Sequence, residues 1–244
     1  MIGKFGKLPA RHDPRTLRLA KYIDTARPLR PPLYREWSVA VGEWGMYAND
    51  SVGDCTCAAA AHAIRCWTAN DGLARPVTTA DVLAAYSKVS GYDPSRPETD
   101  RGAYLLDVLR LWKREGIGGH KIRAYLSLDP RDHFQRMMAI ELGGCIYSGY
   151  MLPDTIWSER IWSDTTGRLG SAGGHAMICP AYGPSSLTAV TWNRQQLMTP
   201  EFADWSCDES YVVLPEDDWT GPDGVAPNGF RFEDLERDLE RVTA

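Results

Sequence analysis

The feature that most constrains the fold is a helix-forming run that is apolar on nearly every face. Residues 55–68, CTCAAAAHAIRCWT, contain a single charged side chain, that of Arg65. A helix at the surface of a globular protein has a polar face, whereas this helix would be hydrophobic almost all round. We therefore expect a central helix that other elements cover on all sides.

The segments after this run predict a helical first half and a strand-rich second half. Thr78 is placed to cap a second helix, and a third helix at about 103–115 should stop at Gly116. A fourth helix is predicted at about 131–142, and it ends at a glycine pair. Strands are predicted at 145–150, 175–182, 187–193 and 210–214. This pattern indicates an α+β protein.

The two ends of the chain differ in character from its centre. Residues 1–48 form an arm rich in proline and arginine, whose prolines impose an extended backbone, and we expect this arm to wrap the globular part. The tail sequence FEDLERDLERV predicts an amphipathic packing or capping helix. Residues 49–244 are interpreted as one domain: a helical lobe at about 49–118, a β-rich lobe at about 119–220 and a C-terminal helix at about 230–243.

Composition excludes several classes of function. The chain has 27 Lys and Arg against 32 Asp and Glu, a net charge of −5, and no basic block, so nucleic acid is not an expected partner. No apolar run reaches the roughly 18 residues that a membrane helix needs, and the first residues lack the apolar core of a signal peptide. We expect a cytoplasmic protein with no membrane partner, whose six scattered cysteines are reduced.

A metal site is the first alternative for the cysteines of the apolar helix. Cys55, His62 and Cys66 would share one helical face. However, Cys55 would lie on the order of 10 Å along the axis from His62, too far for both to bind one tetrahedral ion. We therefore predict no metal ion and no other cofactor.

A nucleophilic cysteine is the second alternative. Gly53 and Asp54 can form a turn and a helix cap, which leaves Cys55 in the first helical turn, where the helix dipole favours a thiolate. Cys57 points about 200° further round the helix and is expected to pack in the core. Among five histidines, His175 is the best placed partner, at the start of a predicted strand after a glycine pair.

Four pieces of sequence, in the same order, resemble the papain-like cysteine peptidases. The arm and the stretch TWNRQQLMT are also similar to papain-like proteins encoded by phages, prophages and bacteria. The four pieces are Asn49 six residues before Cys55; Asp100-Arg101-Gly102-Ala103 before a helix; Gly143-Gly144-Cys145-Ile146; and His175-Ala176 followed by Ala181-Tyr182-Gly183.

The resemblance implies a papain-like two-lobe fold, with the Cys-bearing helix packed on an antiparallel sheet or barrel. It also implies a mechanism in which Cys55 attacks an acyl carbonyl as a thiolate and His175 protonates the leaving amine. The oxyanion would lie between the Cys55 backbone N–H and the side-chain amide of Asn49. The implied partner is a peptide or protein substrate.

The residue that orients the histidine departs from the family pattern. The family places an asparagine two residues before a tryptophan, and Val190 occupies that position relative to Trp192. Valine cannot accept a hydrogen bond. Asn193 could replace the asparagine only through a change of strand register, while Trp192 could shield His175.

Two functions of different class remain open. One is a cysteine peptidase or amidase, and the resemblance implies that a phage encodes it. The other is a structural or assembly protein of a phage virion that uses the papain fold with little turnover, with other virion proteins as partners. The arm has prolines where the family's inhibitory pro-segments have long helices, so we do not expect it to act as a conventional pro-segment.

Overall fold

The computed structural model describes residues 3–25, 30–72, 75–219 and 225–227. The C-terminal helix expected at about 230–243 lies outside them. Within this part of the chain the α-helices are α1 (Leu19–Thr25), α2 (Cys55–Asp71), α3 (Thr79–Ser90), α4 (Leu105–Arg114), α5 (His133–Gly143) and α6 (Pro200–Ser206). Short 3-10 helices span Ser38–Ala40, Pro97–Thr99 and Asp154–Trp157.

Helix α2 is the central element of the molecule. Nearly all of its residues up to Thr68 are buried, as the apolar sequence predicts. It ends where Gly72 takes a left-handed conformation (φ 73°), which glycine adopts without steric cost. From the sheet, the Tyr147 hydroxyl donates to the Thr56 carbonyl at 2.8 Å, so the first turn of α2 is fixed to the sheet beneath it.

Helices α3 and α4 complete the helical part. The Thr78 side chain accepts a hydrogen bond from the Asp81 backbone, and the Asp81 carboxylate accepts one from the Thr78 backbone. This reciprocal pair is the capping box, which satisfies N–H groups at the start of α3. Helix α4 buries one apolar face, including Leu105, Leu109 and Trp112, and turns its charged residues outward.

The β-strands of the described residues form one sheet of eight strands. Their order is β1-β3-β8-β4-β5-β6-β7, and β2 pairs with β5 outside this path. Apart from the parallel pair β1 and β3, neighbouring strands are antiparallel. The bounds are β1 (Leu17–Arg18), β2 (Arg35–Glu36), β3 (Ile122–Leu128), β4 (Ile146–Leu152), β5 (Gly173–Gly183), β6 (Ser186–Thr191), β7 (Arg194–Met198) and β8 (Cys207–Pro215).

The four predicted strands are present as β4, β5, β6 and β8, with shifted ends. Strand β6 stops at Thr191 and not at 193, because a two-residue turn, Trp192-Asn193, leads directly into β7. The sequence analysis missed β7 and β3. In β3 the apolar residues alternate with polar ones and are buried, while Arg123 is exposed, as in a strand with one face toward the core.

The arm wraps the sheet and meets it at three places. Its first described residues lie beside Gly174, at the start of β5. Strand β1 then extends the sheet at β3, and β2 pairs Arg35 with Tyr182 at the far end of β5. No helix of the described residues is long and apolar enough to cross a membrane.

Candidate active site

Cys55 is the first residue of α2, with Asp54 as the N-cap. Cys55 is 1% exposed, and its sulfur lies against the backbone N–H groups of Ala176 and Gly6. Cys57 is fully buried in the core, where the sequence analysis placed it. Cys55 is therefore the cysteine at the helix N-terminus, beside the start of β5 that carries the histidine.

His175 lies on β5 and is also 1% exposed. Its Nε2 atom is 2.7 Å from the Thr191 hydroxyl, a hydrogen bond between buried groups. Its Nδ1 atom is buried and has no hydrogen-bond partner. With Nε2–H donating to Thr191, the neutral ring keeps Nδ1 as a free lone pair, which is what a general base requires.

The β6–β7 turn explains why threonine contacts the histidine. Trp192 has a left-handed backbone (φ 54°), which is rare for a residue with a side chain. The turn leaves Thr191 as the last residue of β6, and the Trp192 ring lies 4.9 Å from the His175 ring, centroid to centroid. Asn193 is exposed on the turn. The hydrogen-bond partner of His175 is thus Thr191, and not Asn193 as the register-change hypothesis supposed.

Asn49 is buried in the loop before α2. Its side-chain Nδ2 donates to the Val52 carbonyl at 3.0 Å and to the Lys4 carbonyl at 3.2 Å. The Lys4 backbone N–H donates to the Asn49 carbonyl at 2.7 Å. The amide expected to bind an oxyanion therefore already binds a carbonyl oxygen, and that oxygen belongs to the arm.

Residues 3–8 of the arm run through the groove between two chain segments. On one side, Gly6 and Lys7 donate their N–H groups to the Gly174 carbonyl at 3.2 and 3.0 Å. On the other side, Ala103 donates to the Gly6 carbonyl at 2.8 Å and accepts from the Leu8 N–H at 3.0 Å. We name residues 3–8 the cleft segment. It lies in the groove as an extended peptide hydrogen-bonded on both edges.

The contact between the cleft segment and the groove depends on glycines on both sides. A Cβ atom on Gly6 would lie 1.7 Å from the Gly53 carbonyl oxygen. A Cβ on Gly102 would lie 2.2 Å from the Gly6 oxygen, and one on Gly174 would lie 2.2 Å from the Lys7 oxygen. Because these neighbours are backbone atoms, no side-chain rotation could relieve the overlap. The two chains touch as closely as glycine permits.

Aromatic rings cover the histidine from above. Phe5, in the cleft segment, packs edge-on against His175 with 5.4 Å between ring centroids. It also contacts Trp192 and Trp157, which stack on each other. Phe5 therefore removes His175 from solvent, together with the Trp192 ring.

Lys7 extends from the cleft segment into a buried acidic pocket. Its side chain is fully buried, and Nζ is 2.6 Å from Asp208 Oδ2 and 3.4 Å from Glu209 Oε1. The two acidic residues lie at the start of β8. The Tyr211 hydroxyl donates to the other oxygen of Glu209 at 3.0 Å.

Burial determines the protonation of the Cys55–His175 pair. Loss of solvent raises the pKa of Cys55 to about 12, although the backbone N–H groups of Ala176 and Gly6 act in the opposite direction. Burial also lowers the pKa of His175 to about 3, and nearby His62 adds to this effect. Both groups are neutral at pH 7 in this structure. The thiolate expected from the helix N-terminus is not the favoured form while the cleft segment is in place.

Asp54 is a further titratable group beside the cysteine. Its carboxylate is buried, with the Asn49 amide beside it. Burial raises its pKa to about 8, with the nearby carboxylates of Asp100 and Asp50 adding to the rise. Asp54 is therefore protonated at pH 7 and does not place a negative charge next to Cys55.

Trp192 packs against His175, and the Cys55 sulfur lies against the backbone N–H of Ala176, the next residue of β5. Asn49 is buried in the loop before Cys55, and Asn193 is exposed on the β6–β7 turn. The expectation that the arm does not act as a conventional pro-segment stays a prediction, and the prolines of the arm lie after the cleft segment and not in it. The sequence analysis also missed Thr191 and the cleft segment itself. Signals were available: a hydroxyl residue ends an apolar strand beside Trp192, and glycines at 3 and 6 allow close approach of two backbones.

The chain is similar to known proteins in fold. No protein-family profile and no curated protein sequence matches it. Solved structures do match: xylellain, a cysteine protease from Xylella fastidiosa, has a TM-score of 0.64 at 14% identity and covers 87% of this chain and 96% of its own.

Two further structures agree. Procathepsin B S9 from Trypanosoma congolense gives a TM-score of 0.63 at 10% identity, with 88% of this chain and 87% of its own covered. Digestive procathepsin L 3 from Tenebrio molitor larval midgut gives 0.60 at 12% identity, with 82% and 74% covered. The fold is therefore papain-like, an α+β arrangement of a helical part on a sheet, as the sequence resemblance predicted.

Proposed function

We propose that the protein is a cysteine peptidase or amidase that hydrolyses peptide bonds with Cys55 as nucleophile and His175 as general base. The observation that carries the proposal is the peptide already in the groove. The cleft segment is extended, bonded on both edges, and passes over the cysteine and the histidine. A groove that holds one peptide in this way is built to hold others.

The chemistry follows from the hydrogen bonds of His175. Thr191 holds Nε2, so Nδ1 is free to take the thiol proton and later to deliver it to the leaving amine. When water replaces the cleft segment, the burial that keeps both groups neutral is reduced. Transfer of the thiol proton to the imidazole then becomes easier, because both charged forms regain solvation.

The oxyanion would be bound by Asn49 and by the backbone N–H of Cys55 at the N-terminus of α2. The Asn49 amide donates to the Lys4 carbonyl while the arm is in the groove. Exchange of this oxygen for the carbonyl oxygen of a substrate would give the amide its catalytic role. The cleft segment thus has to leave before a substrate can react.

The proposal is tested with Gly6→Ala in the full chain, because the added Cβ would overlap the Gly53 backbone and expel the cleft segment. We expect Gly6→Ala to degrade an unfolded protein substrate such as reduced casein. The activity should be absent in Gly6→Ala/Cys55→Ala and in Gly6→Ala/His175→Ala.

The matched control is Gly42→Ala, at an arm position with no atom near the added Cβ. It should behave as the wild type. The peptidase proposal fails if Gly6→Ala exposes Cys55 to alkylation and still cleaves nothing.

A second candidate function is structural, with the cleft segment as a permanent part of the molecule. The fully buried Lys7 ammonium and the two-sided hydrogen bonds support it. In this case the protein would serve in an assembly, such as a phage virion. The same Gly6→Ala experiment separates the two: a structural role predicts lost stability or assembly and no turnover.

A further inference from the structure

We propose that the pocket around Lys7 recognises a cationic side chain, so that peptides entering the groove are selected for lysine or arginine at this position. The Lys7 pocket consists of Gly149, Asp208, Glu209 and Tyr211. For substrates, the inference rests on the proposed peptidase function. For the binding of peptides, it stands on the contacts of the pocket alone.

The charges of the pocket are arranged for one ammonium group. Lys7 Nζ lies between Asp208 and Glu209, at 2.6 and 3.4 Å from their nearest oxygens. Glu209 is 7% exposed and Asp208 is 27% exposed on the side-chain scale, and the Lys7 side chain that they contact is fully buried. Arginine carries the same charge on an unbranched stem, and its guanidinium pairs well with carboxylates.

The shape of the pocket fits an unbranched stem. A Cβ on Gly149 would lie 2.0 Å from Lys7 Cε and 3.0 Å from Glu209 Cγ. The absence of a side chain at position 149 therefore creates the channel through which the lysine stem passes. Glycine in the middle of a strand weakens the strand, and close approach of another group is a recognised reason for its presence.

An apolar side chain in this pocket would leave buried carboxylates without a cation. Burial raises the pKa of Glu209, and the Lys7 ammonium acts against that rise. Removing one partner of a buried charge pair is costly, because the remaining charge stays poorly solvated. Discrimination between lysine and leucine should thus be strong.

The arm supplies its own control at Lys4. Lys4 also forms an ion pair, with Asp100, but its side chain is 46% exposed. Exposed ion pairs contribute little, so Lys4 should matter much less than Lys7. The two lysines share one peptide and differ mainly in burial.

Binding is measured with a fluorescent peptide of residues 3–12, GKFGKLPARH, on full-length Gly6→Ala/Cys55→Ala protein. We expect replacement of Lys7 by leucine in the peptide to weaken binding by about tenfold or more, and replacement by arginine to preserve it. Leucine at Lys4 should change binding by less than about threefold. Equal affinity of the Lys7 and leucine peptides would refute the pocket.

Removing one negative charge from the protein tests the same contact from the other side. Asp208→Asn and Glu209→Gln keep the size and shape of the side chain and remove its charge, and a thermal melt verifies that each variant is folded. Each should reduce the preference for lysine over leucine peptides severalfold. A preference unchanged in both variants would also refute the assignment.

Cleavage distinguishes this inference from the peptidase proposal. With Gly6→Ala protein and a peptide library, cleaved products should be enriched in lysine or arginine at one fixed distance from the cut. Cleavage without this enrichment would overturn the pocket inference and keep the peptidase. Lysine-selective binding without any cleavage would overturn the peptidase proposal and keep the pocket inference.

Discussion

Two parts of the arm contact opposite ends of strand β5, and different kinds of interaction hold them there. The cleft segment lies beside Gly174, at the start of β5. The second part, residues 35–37, pairs with Ala181 and Tyr182 at the end of β5. We name residues 35–37 the anchor segment.

The anchor segment is held by apolar burial and by ion pairing at short range. Trp37 is buried, packs on Trp219 at 5.0 Å between ring centroids, and donates from its indole N–H to Ile140. Arg35 forms a two-pronged ion pair with Glu141, at 2.6 and 2.7 Å. Burial of a tryptophan is a large favourable contribution that release would forfeit.

The cleft segment has one aromatic side chain, Phe5, a buried ammonium and a set of backbone hydrogen bonds. It contains two glycines, Gly3 and Gly6, which bury no side chain of their own. Most of its bonds could be made equally well by another peptide or by water. The difference indicates an arm with a permanent end and an exchangeable end.

The largest effect is expected from Trp37→Ala in the anchor segment. Loss of this side chain should lower the free energy of unfolding by about 3–5 kcal/mol, because it leaves a cavity against Trp219. Urea denaturation followed by fluorescence gives the value. Val39→Ala, at a side chain that is 81% exposed, is the control and should change it by less than about 0.5 kcal/mol. A small effect of Trp37→Ala would mean that the anchor segment is not held more strongly than the cleft segment.

Gly6→Ala should act locally. Overlap with the Gly53 backbone should displace the cleft segment and raise the rate of iodoacetamide labelling at Cys55 on the order of 100-fold, while global stability changes little. Mass spectrometry of labelled peptides gives the rate, and hydrogen exchange should accelerate in residues 3–8 but not in the anchor segment. Faster exchange in both segments would mean that the arm moves as one unit.

The cleft region should also contribute a pH dependence through Asp54. Its pKa is raised to about 8, so between about pH 4 and 8 the native state holds a proton that the unfolded chain has released. Stability of the wild type should thus fall with rising pH relative to Asp54→Asn, by up to about 1.4 kcal/mol per pH unit. Denaturation of both proteins at pH 5, 6, 7 and 8 measures the difference. A constant difference would show that Asp54 is ionised throughout.

The smallest effect concerns the positioning of His175. In the Gly6→Ala background, Thr191→Val should lower kcat/KM about tenfold, because Nε2–H loses its acceptor. Thr191→Ser should restore the rate and the pH profile, which a purely structural role would not require. Asn193→Ala should stay within about twofold of the parent. A larger loss in Asn193→Ala than in Thr191→Val would reinstate the asparagine hypothesis.

Local sequence was enough to predict the parts of the fold that depend on burial and capping. The buried helix α2 and the threonine cap of α3 followed from the apolar pattern and the capping residues, whereas the catalytic pairing of Cys55 with His175 stays a prediction. The β6–β7 turn could not be derived in this way, because the left-handed backbone of Trp192 reflects tertiary packing and not the propensity of tryptophan.

The Lys7 pocket was beyond sequence reasoning for a different reason. Lys7 and Asp208 are 201 positions apart in the chain, and their contact depends on the path of the whole arm. A lysine between a glycine and a leucine gives no local sign that it is buried. Similarly, two adjacent acidic residues ahead of an apolar strand are ordinary at a surface, where most such residues lie.

The anchoring of the arm also determines how tightly a free ligand must bind to replace the cleft segment in the groove. Strand β1, at Leu17–Arg18, is already fixed to β3, so only the eight residues 9–16 separate the cleft segment from a fixed point. A peptide on so short a tether has an effective concentration of about millimolar or above at its own binding site. A free peptide at micromolar concentration would have to bind about a thousandfold more tightly to displace half of it. Activity assays of the full chain at ordinary substrate concentrations would therefore report how readily the cleft segment is displaced, and not the rate of the catalytic step.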